Sequence, residues 1–508
     1  MEAWATILAL VVAVLAIYHY VFKNWNYFKK SNIPYNSPWP VLGNMGVVLL
    51  RQKTMAEMTI DAYNINPKAK YVGFFDMATP VVIVRDPELI KSIANERWRE
   101  TRTMLSPAFT SSKLKGMYKL MNNCATNFAD YIANMPKEKR TLEMKDAFTR
   151  YTNDVIATCA FGIGINSMKD QNNDFYVLGK EATNFTGIKS LLFFVIRSWP
   201  TLSKVLNIKI ISDKVVSFFK NIVKETIETR DREKIVRGDM IQLMMEARDK
   251  RAEHGKELEL IDMVAQAFIF FFGGFDSVST AMCFTCHEIG VHQDVQERLQ
   301  QEIDEVLEKT NGNPSYEVIN NMEYLDAVIN ESLRMYPIVV FLDRVCNQNF
   351  ELPPTLPGRE PFLVKKGTNV WFPVYAFHHD PKYFEEPGKF NPDRFIERGK
   401  EIQNSGVYLP FGLGPRMCIG NRFALLEIKV LIFHLLARCN LKPCAKTSIP
   451  MKMSKKTISV TAENGFWMDI EPRSDTHSSL RNSLSNGTVI DDAVCNANGV
   501  TNGHAVKA

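Results

Sequence analysis

Tyr408-Leu-Pro-Phe-Gly-Leu-Gly-Pro-Arg-Met-Cys-Ile-Gly420 is the stretch on which the reading of this chain turns. A lone cysteine is most often a small buried hydrophobe, and Cys418 taken alone has that reading open. Its neighbours point elsewhere. Gly412, Gly414 and Gly420 let the backbone approach a flat object closely, and Arg416 sets a positive charge two residues before the sulfur. Amide donors around a thiolate lower its proton affinity and stabilise it as a ligand. A charged, soft sulfur held in a rigid turn suits iron.

The run resembles the haem-binding signature of the cytochrome P450 family, whose fixed positions are matched by Phe411, Gly414, Arg416, Cys418 and Gly420. In detail the chain is similar to microsomal enzymes of insects that oxidise plant toxins and insecticides. The resemblance implies a mainly α fold with small β-sheets and an N-terminal transmembrane anchor. It implies haem b with Cys418 as the iron ligand and Arg416, Phe411, Gly412 and Gly420 beside it. The implied activity is insertion of one oxygen atom from O2 into apolar small molecules, either xenobiotics or endogenous lipids. Electrons come from NADPH through NADPH-cytochrome P450 reductase, with cytochrome b5 as an optional second partner. Two rivals are a haem-thiolate isomerase that needs no reductase and a haem protein with a binding role only.

Size and composition agree with a large globular body. The chain has 508 residues, 46% hydrophobic and 23% charged, and a net charge of +5 without a clustered basic patch, which argues against nucleic acid as a partner. Trp4 to Phe22 carries no charged side chain and is about long enough to cross a bilayer. Glu2 stands where a signal peptide needs positive charge, and Lys23, Lys29 and Lys30 favour a cytosolic far side. The expected organisation is an anchor at 1–22, a basic, proline-rich linker at 23–40, a haem-thiolate domain at 41–473 and a disordered polar tail at 474–508. The expected location is the endoplasmic reticulum membrane with the body in the cytosol. Nine cysteines without metal-site spacing fit a reducing compartment, and Cys283 and Cys286 read as core.

Along the body, Tyr71–Phe75 and Pro80–Val84 read as a hairpin and Pro87–Ile93 as a helix opening. The pattern from Trp98 to Gly290 is helical. Thr310 to Pro314 is a loop, helix resumes from Tyr316 to Arg334, Phe362–Val370 reads as a small hairpin, and Leu425–Leu436 as an apolar helix. Thr457–Val460 is expected to add a last strand.

Ala265–Cys286 is the second informative element. A helix this apolar belongs in the core, yet it holds Gly273 and Gly274, each costing roughly 1 kcal/mol of helix propensity, followed by Asp276 and Ser277. One reading is a kink with Ser277 bonded back to the preceding turn. The other is a gap for a plate-like ligand and dioxygen, with an acid and an alcohol beside it. The resemblance makes Asp276 and Ser277 the proton-relay pair. Serine stands where the family usually has threonine and lacks the methyl that restricts the rotamer.

Glu331-Ser-Leu-Arg334 puts opposite charges on one helical face. The family joins such a pair to an arginine at the position of Arg394, within Phe390-Asn-Pro-Asp-Arg-Phe395. It uses a tryptophan and an arginine placed like Trp98 and Arg102 to contact a haem propionate, and Arg344 is a further candidate. His378 and His379 read as structural or surface residues. Phe268, Phe271, Phe272, Val339 and Val340 are the expected substrate walls, with simple core packing as the alternative. Two departures stand out. Ile93 to Trp98 joins two helices almost directly, where the family has about thirty more residues, and His292-Gln293 stands where it commonly has His-Pro.

Overall fold

The computed structural model describes residues 2–93, 106–253 and 258–473. Trp98, Arg102, the short junction at Asn95 and the tail from 474 lie outside the described residues. The principal helices are α1 (Glu2–Phe22), α2 (Ser111–Ala133), α3 (Met144–Ile156), α4 (Ile188–Ser198), α5 (Asp213–Glu233), α6 (Leu260–Val291), α7 (Glu323–Met335) and α8 (Asn421–Arg438). Short strands form three sheets. β1 (Tyr71–Asp76), β2 (Thr79–Val84), β7 (Asn369–Phe372) and β4 (Leu342–Val345) form one in that spatial order. β3 (Thr141–Glu143), β9 (Trp467–Pro472) and β8 (Cys439–Lys442) form a second, and β5 (Phe350–Leu352) pairs with β6 (Phe362–Val364).

The expected first hairpin is β1 against β2, with Tyr71 opposite Val84. The expected hairpin over Phe362–Val370 does not form. β6 pairs with β5 while β7 joins β2 and β4. Gly367, at φ +88°, redirects the chain between the two sheets, a conformation open to glycine at no steric cost. Thr457–Val460 is not a strand either: Thr457 makes an isolated bridge to Thr186, and the last strand lies later, at β9. Within the linker at 23–40, the chain packs on the body from Tyr27 onward. Phe28 is buried against Phe75, and Gly73 donates to the Pro34 carbonyl at 2.8 Å. Burying Phe28 and Ile33 ties this segment to the first sheet by the hydrophobic effect.

α6 runs through the centre. It is long and apolar enough to cross a membrane, yet from Val278 to Gly290 each of its residues is buried by protein. Cys283 and Cys286 lie in this core, as their apolar neighbours predict. Past its end, Gln293 donates from Nε2 to the Leu441 carbonyl at 3.1 Å, a tie to β8 that proline could not make.

α7 is cross-linked to the far side of the body by a buried ion cluster. Arg334 donates to both Glu331 oxygens at 2.8 and 2.9 Å, and Arg394 Nε reaches Glu331 Oε1 at 3.1 Å. The backbone N–H of Asn391 adds a bond to the same oxygen at 3.0 Å, and Arg334 Nη1 donates to the His378 carbonyl at 2.8 Å. Glu331 and Arg334 are both fully buried. His378 is buried too and has a defined structural place. Its Nδ1 lies 3.0 Å from the Arg334 carbonyl and its Nε2 accepts from the Leu409 N–H at 2.9 Å, which sets the neutral tautomer. Burial, with His379 and Arg334 nearby, holds His378 well below the usual imidazole range, and burial pushes His379 down to about 4.

Two outcomes follow from this cluster. Glu331→Gln leaves a buried guanidinium without its counter-charge and should lower the free energy of unfolding by about 3–5 kcal/mol. Glu397→Gln on the exposed surface should change it by less than about 0.5 kcal/mol. The midpoint of urea unfolding measures both. The buried neutral histidines bind protons in the unfolded chain near pH ~6.5 but in the folded chain only further into acid. Stability should therefore be lost progressively as pH falls below ~6.5. A urea midpoint that stays flat from neutral pH down to about pH 5 would contradict this.

Candidate active site

α3 packs across α6 at the glycine pair, and the two glycines do different things. A Cβ on Gly274 would stand 2.5 Å from the Ile156 side chain of α3, so Gly274 serves close helix packing rather than a ligand. A Cβ on Gly273 would meet nothing within 4 Å; this side of α6 is open. The Ser277 hydroxyl donates to the Gly273 carbonyl, the back-bond weighed above as one of two readings. Asp276 is gripped from α3. Lys145 Nζ lies 2.9 Å from Asp276 Oδ1, and it donates to the Asp276 carbonyl, Ser279 Oγ and Thr280 Oγ1 at 3.0, 2.7 and 2.6 Å. Thr152 of α3 adds a bond to the Phe275 carbonyl at 2.9 Å. One turn of α6 is thus held by a polar seam that nothing in the sequence around Lys145 announces.

The cysteine loop is pinned at its base. Besides the bond from Leu409 to His378, Tyr408 donates its hydroxyl to Asn330 of α7, 2.9 Å from Oδ1. Gly412 and Gly414 adopt φ +82° and +71°, so the tight turn itself calls for glycine there. The Cys418 N–H donates to the Phe411 carbonyl at 2.8 Å and closes the loop. Gly420 then caps α8, its carbonyl accepting from Ala424 at 2.8 Å. Cys418 therefore sits just before the positive end of an 18-residue helix, where a thiolate is favoured. Its side chain is exposed, unlike Cys159, Cys283, Cys286 and Cys439, which are buried. Phe411 and Arg344 are half-buried and Arg416 is exposed. A rigid loop presenting an exposed sulfur at a helix start, with arginines on the same loop and on β4, fits the iron and the carboxylates of a haem.

An apolar cavity of about 340 Å³ adjoins this region. Asp276, Thr280, Val339 and Val340 line it, with Phe193, Phe194 and Arg197 of α4, Asp76, Phe341 and Trp371. Leu342, next to Phe341, packs 3.7 Å from where a Gly412 Cβ would stand, so the cavity wall runs directly into the cysteine loop. Phe268, Phe271 and Phe272 are not on this wall. Phe271 is fully buried among Phe175, Phe219 and Phe275; Phe268 packs on Phe219 and Phe272 on Phe185. The helical period turns these rings toward α5 and its neighbours. The sequence reading missed Arg197, Asp76 and Trp371, which arrive from three distant elements.

The cytochrome P450 family profile matches residues 92–468. Cytochrome P450 9e2 of Blattella germanica is 41% identical, with 91% of this chain and 97% of the relative covered. The probable cytochrome P450 9f2 of Drosophila melanogaster is 36% identical over 92% and 99%, and cytochrome P450 6j1 of Blattella germanica 32% over 92% and 97%. The alignment to the first of these spans 524 positions, more than the 508 residues present, so this chain carries gaps against it. Profile, relatives and the mainly helical fold agree: the chain belongs to the cytochrome P450 family of haem-dependent monooxygenases.

Proposed function

We propose that this chain oxidises apolar xenobiotics or endogenous lipids at the cavity beside Asp276, with Cys418 as the ligand of haem iron. The observation that carries the reading is an exposed cysteine on a pinned loop, at the start of α8, whose flank runs into that cavity. Bound there, haem supplies dioxygen activation, which a thiolate ligand assists by favouring O–O cleavage.

The chain's own residues bind, orient and move protons. Cys418 would hold the metal, and Phe411, Gly412 and Gly420 would shape the loop that receives the cofactor. Arg344, Arg416 and Arg102 would match the carboxylates, for which a planar guanidinium is the better partner, and Trp98 would add its indole N–H. Lys145 fixes the Asp276 carboxylate at the cavity wall. Ser277, one residue on, offers a hydroxyl that donates to the Gly273 carbonyl on the open side of α6 and can change partner by a side-chain rotation. Glu331, Arg334 and Arg394 hold the scaffold on which the loop rests. The apolar wall takes substrate and excludes water.

Electrons come from NADPH through NADPH-cytochrome P450 reductase, with cytochrome b5 as a second donor. α1 anchors the chain in the endoplasmic reticulum membrane, and the body from 41 to 473 faces the cytosol. In support, the described apolar side chains of α1 are exposed, among them Trp4, Leu8, Leu10 and Val14. That is the arrangement of a helix that meets lipid rather than protein.

Two measurements test the site. Purified, reduced chain under carbon monoxide should give a thiolate-type carbonyl spectrum that Cys418→Ser abolishes; the same spectrum in the variant would exclude this ligand. Ser277→Thr should lower substrate-dependent peroxide release by up to about threefold, the number of staggered wells open to an unrestricted hydroxyl. Unchanged coupling between NADPH use and product would remove Ser277 from proton handling.

A further inference from the structure

Two charged residues of the cavity lining, Arg197 and Asp76, form a cluster with a third, Asp343, outside that lining. Arg197, in the last turn of α4, donates from Nε to Asp76 Oδ2 at 2.9 Å and from Nη1 to Asp343 Oδ2 at 3.3 Å. Asp76 closes β1, and Asp343 lies on β4. Their side chains are 5% and 54% exposed, with Arg197 between them at 28%. The cluster thus runs from the buried Asp76 through Arg197 to the exposed Asp343. The guanidinium also lies 5.8 Å over the Trp371 ring, which stacks on Phe341 at 4.0 Å, and both rings line the cavity.

Two carboxylates surround one guanidinium, so the cluster carries a net charge of −1. The other acid on the wall, Asp276, is matched by Lys145. Among the described residues that line the cavity, Arg197 is the one lysine or arginine. Asp76 Oδ1 is buried and accepts no hydrogen bond. Burial raises the proton affinity of Asp76, and Arg197 opposes that rise. An organic anion arriving here would have to take Arg197 from Asp343 or Asp76 and leave a carboxylate unpaired, which is costly away from water. A cation meets no such penalty. It finds a net negative end.

We infer that the cavity selects apolar molecules bearing a cationic nitrogen over organic anions, with the cation at the Arg197 cluster and the apolar body directed toward Asp276. Asp76, Arg197 and Asp343 are then specificity-determining residues. The inference rests on the proposed reading of this cavity as the substrate site.

Calorimetric titration of the full, haem-loaded chain with three matched ligands tests it: phenylbutyl-trimethylammonium, phenylbutanol and phenylbutyrate. The quaternary nitrogen has no lone pair, so the measurement does not report metal ligation. The ammonium should bind about tenfold tighter than the alcohol and the carboxylate about tenfold weaker, the effect of one unit charge at partly buried range. Asp343→Asn, an exposed substitution compatible with folding, should erase the preference for the ammonium over the alcohol. Asp76→Asn added to it, leaving a net +1, should reverse the order in favour of the carboxylate. Alcohol binding with no charge preference in the unsubstituted chain, or a preference that survives Asp343→Asn, overturns this inference and leaves the cavity reading intact. Absence of saturable binding by the alcohol overturns both.

Discussion

The ion pair between Glu331 and Arg334 sits where no water reaches it, and much of the molecule's order depends on its being satisfied. A buried, ionised carboxylate is costly unless donors and counter-charges surround it. Here the donors come from α7 itself, from the Asn391 backbone and from Arg394, and Arg334 returns a bond to the His378 carbonyl. His378 passes the constraint on. Its ring joins the Arg334 carbonyl to the Leu409 amide, and Leu409 begins the turn that ends in Cys418. The position of one sulfur is thereby referred to the most deeply buried charges in the body.

A second constraint lies across the core, where α3 and α6 approach closely at Gly274. Close backbone approach brings Lys145, Thr149 and Thr152 against a single turn of α6, and that turn carries Asp276 and Ser277. That turn of a largely apolar helix can hold an acid because its neighbour supplies the ammonium. The cavity follows from the same geometry. Its floor is the segment between α7 and β4, its side is the Asp276 turn, and its roof is the inner face of α4, through Phe193, Phe194 and Arg197. α4 exposes Ile188 and Leu191 on its outer face. The ion pairs of Arg197 give this roof a polar attachment to the sheet, and they also set the charge at the cavity's end.

What was legible in the sequence was whatever has a short range. The cysteine loop could be read as a tight turn because glycine and proline at fixed offsets specify one. Glu331 and Arg334 could be read because three residues apart on a helix means one face. The first hairpin and the apolar length of α6 followed from periodicity alone. The errors share a cause. Phe362–Val370 looks like a hairpin locally, yet its two strands find partners in different sheets. The Phe268–Phe272 run has the composition of a pocket wall, yet three-dimensional packing turns Phe271 into the core. The glycine pair read as one device, while the structure gives Gly274 to helix packing and Gly273 to the open side.

Family and helical character were thus decided by the sequence alone, because each rests on residues within a turn or two of one another. Which charges meet was decided only by tertiary structure. Lys145 reaches Asp276 across 131 positions, Arg197 reaches Asp76 across 121, and His378 reaches Leu409 from a separate helix. An ionic or hydrogen-bonded contact depends on distance in space and on exclusion of water, and neither quantity is written in the order of residues along the chain.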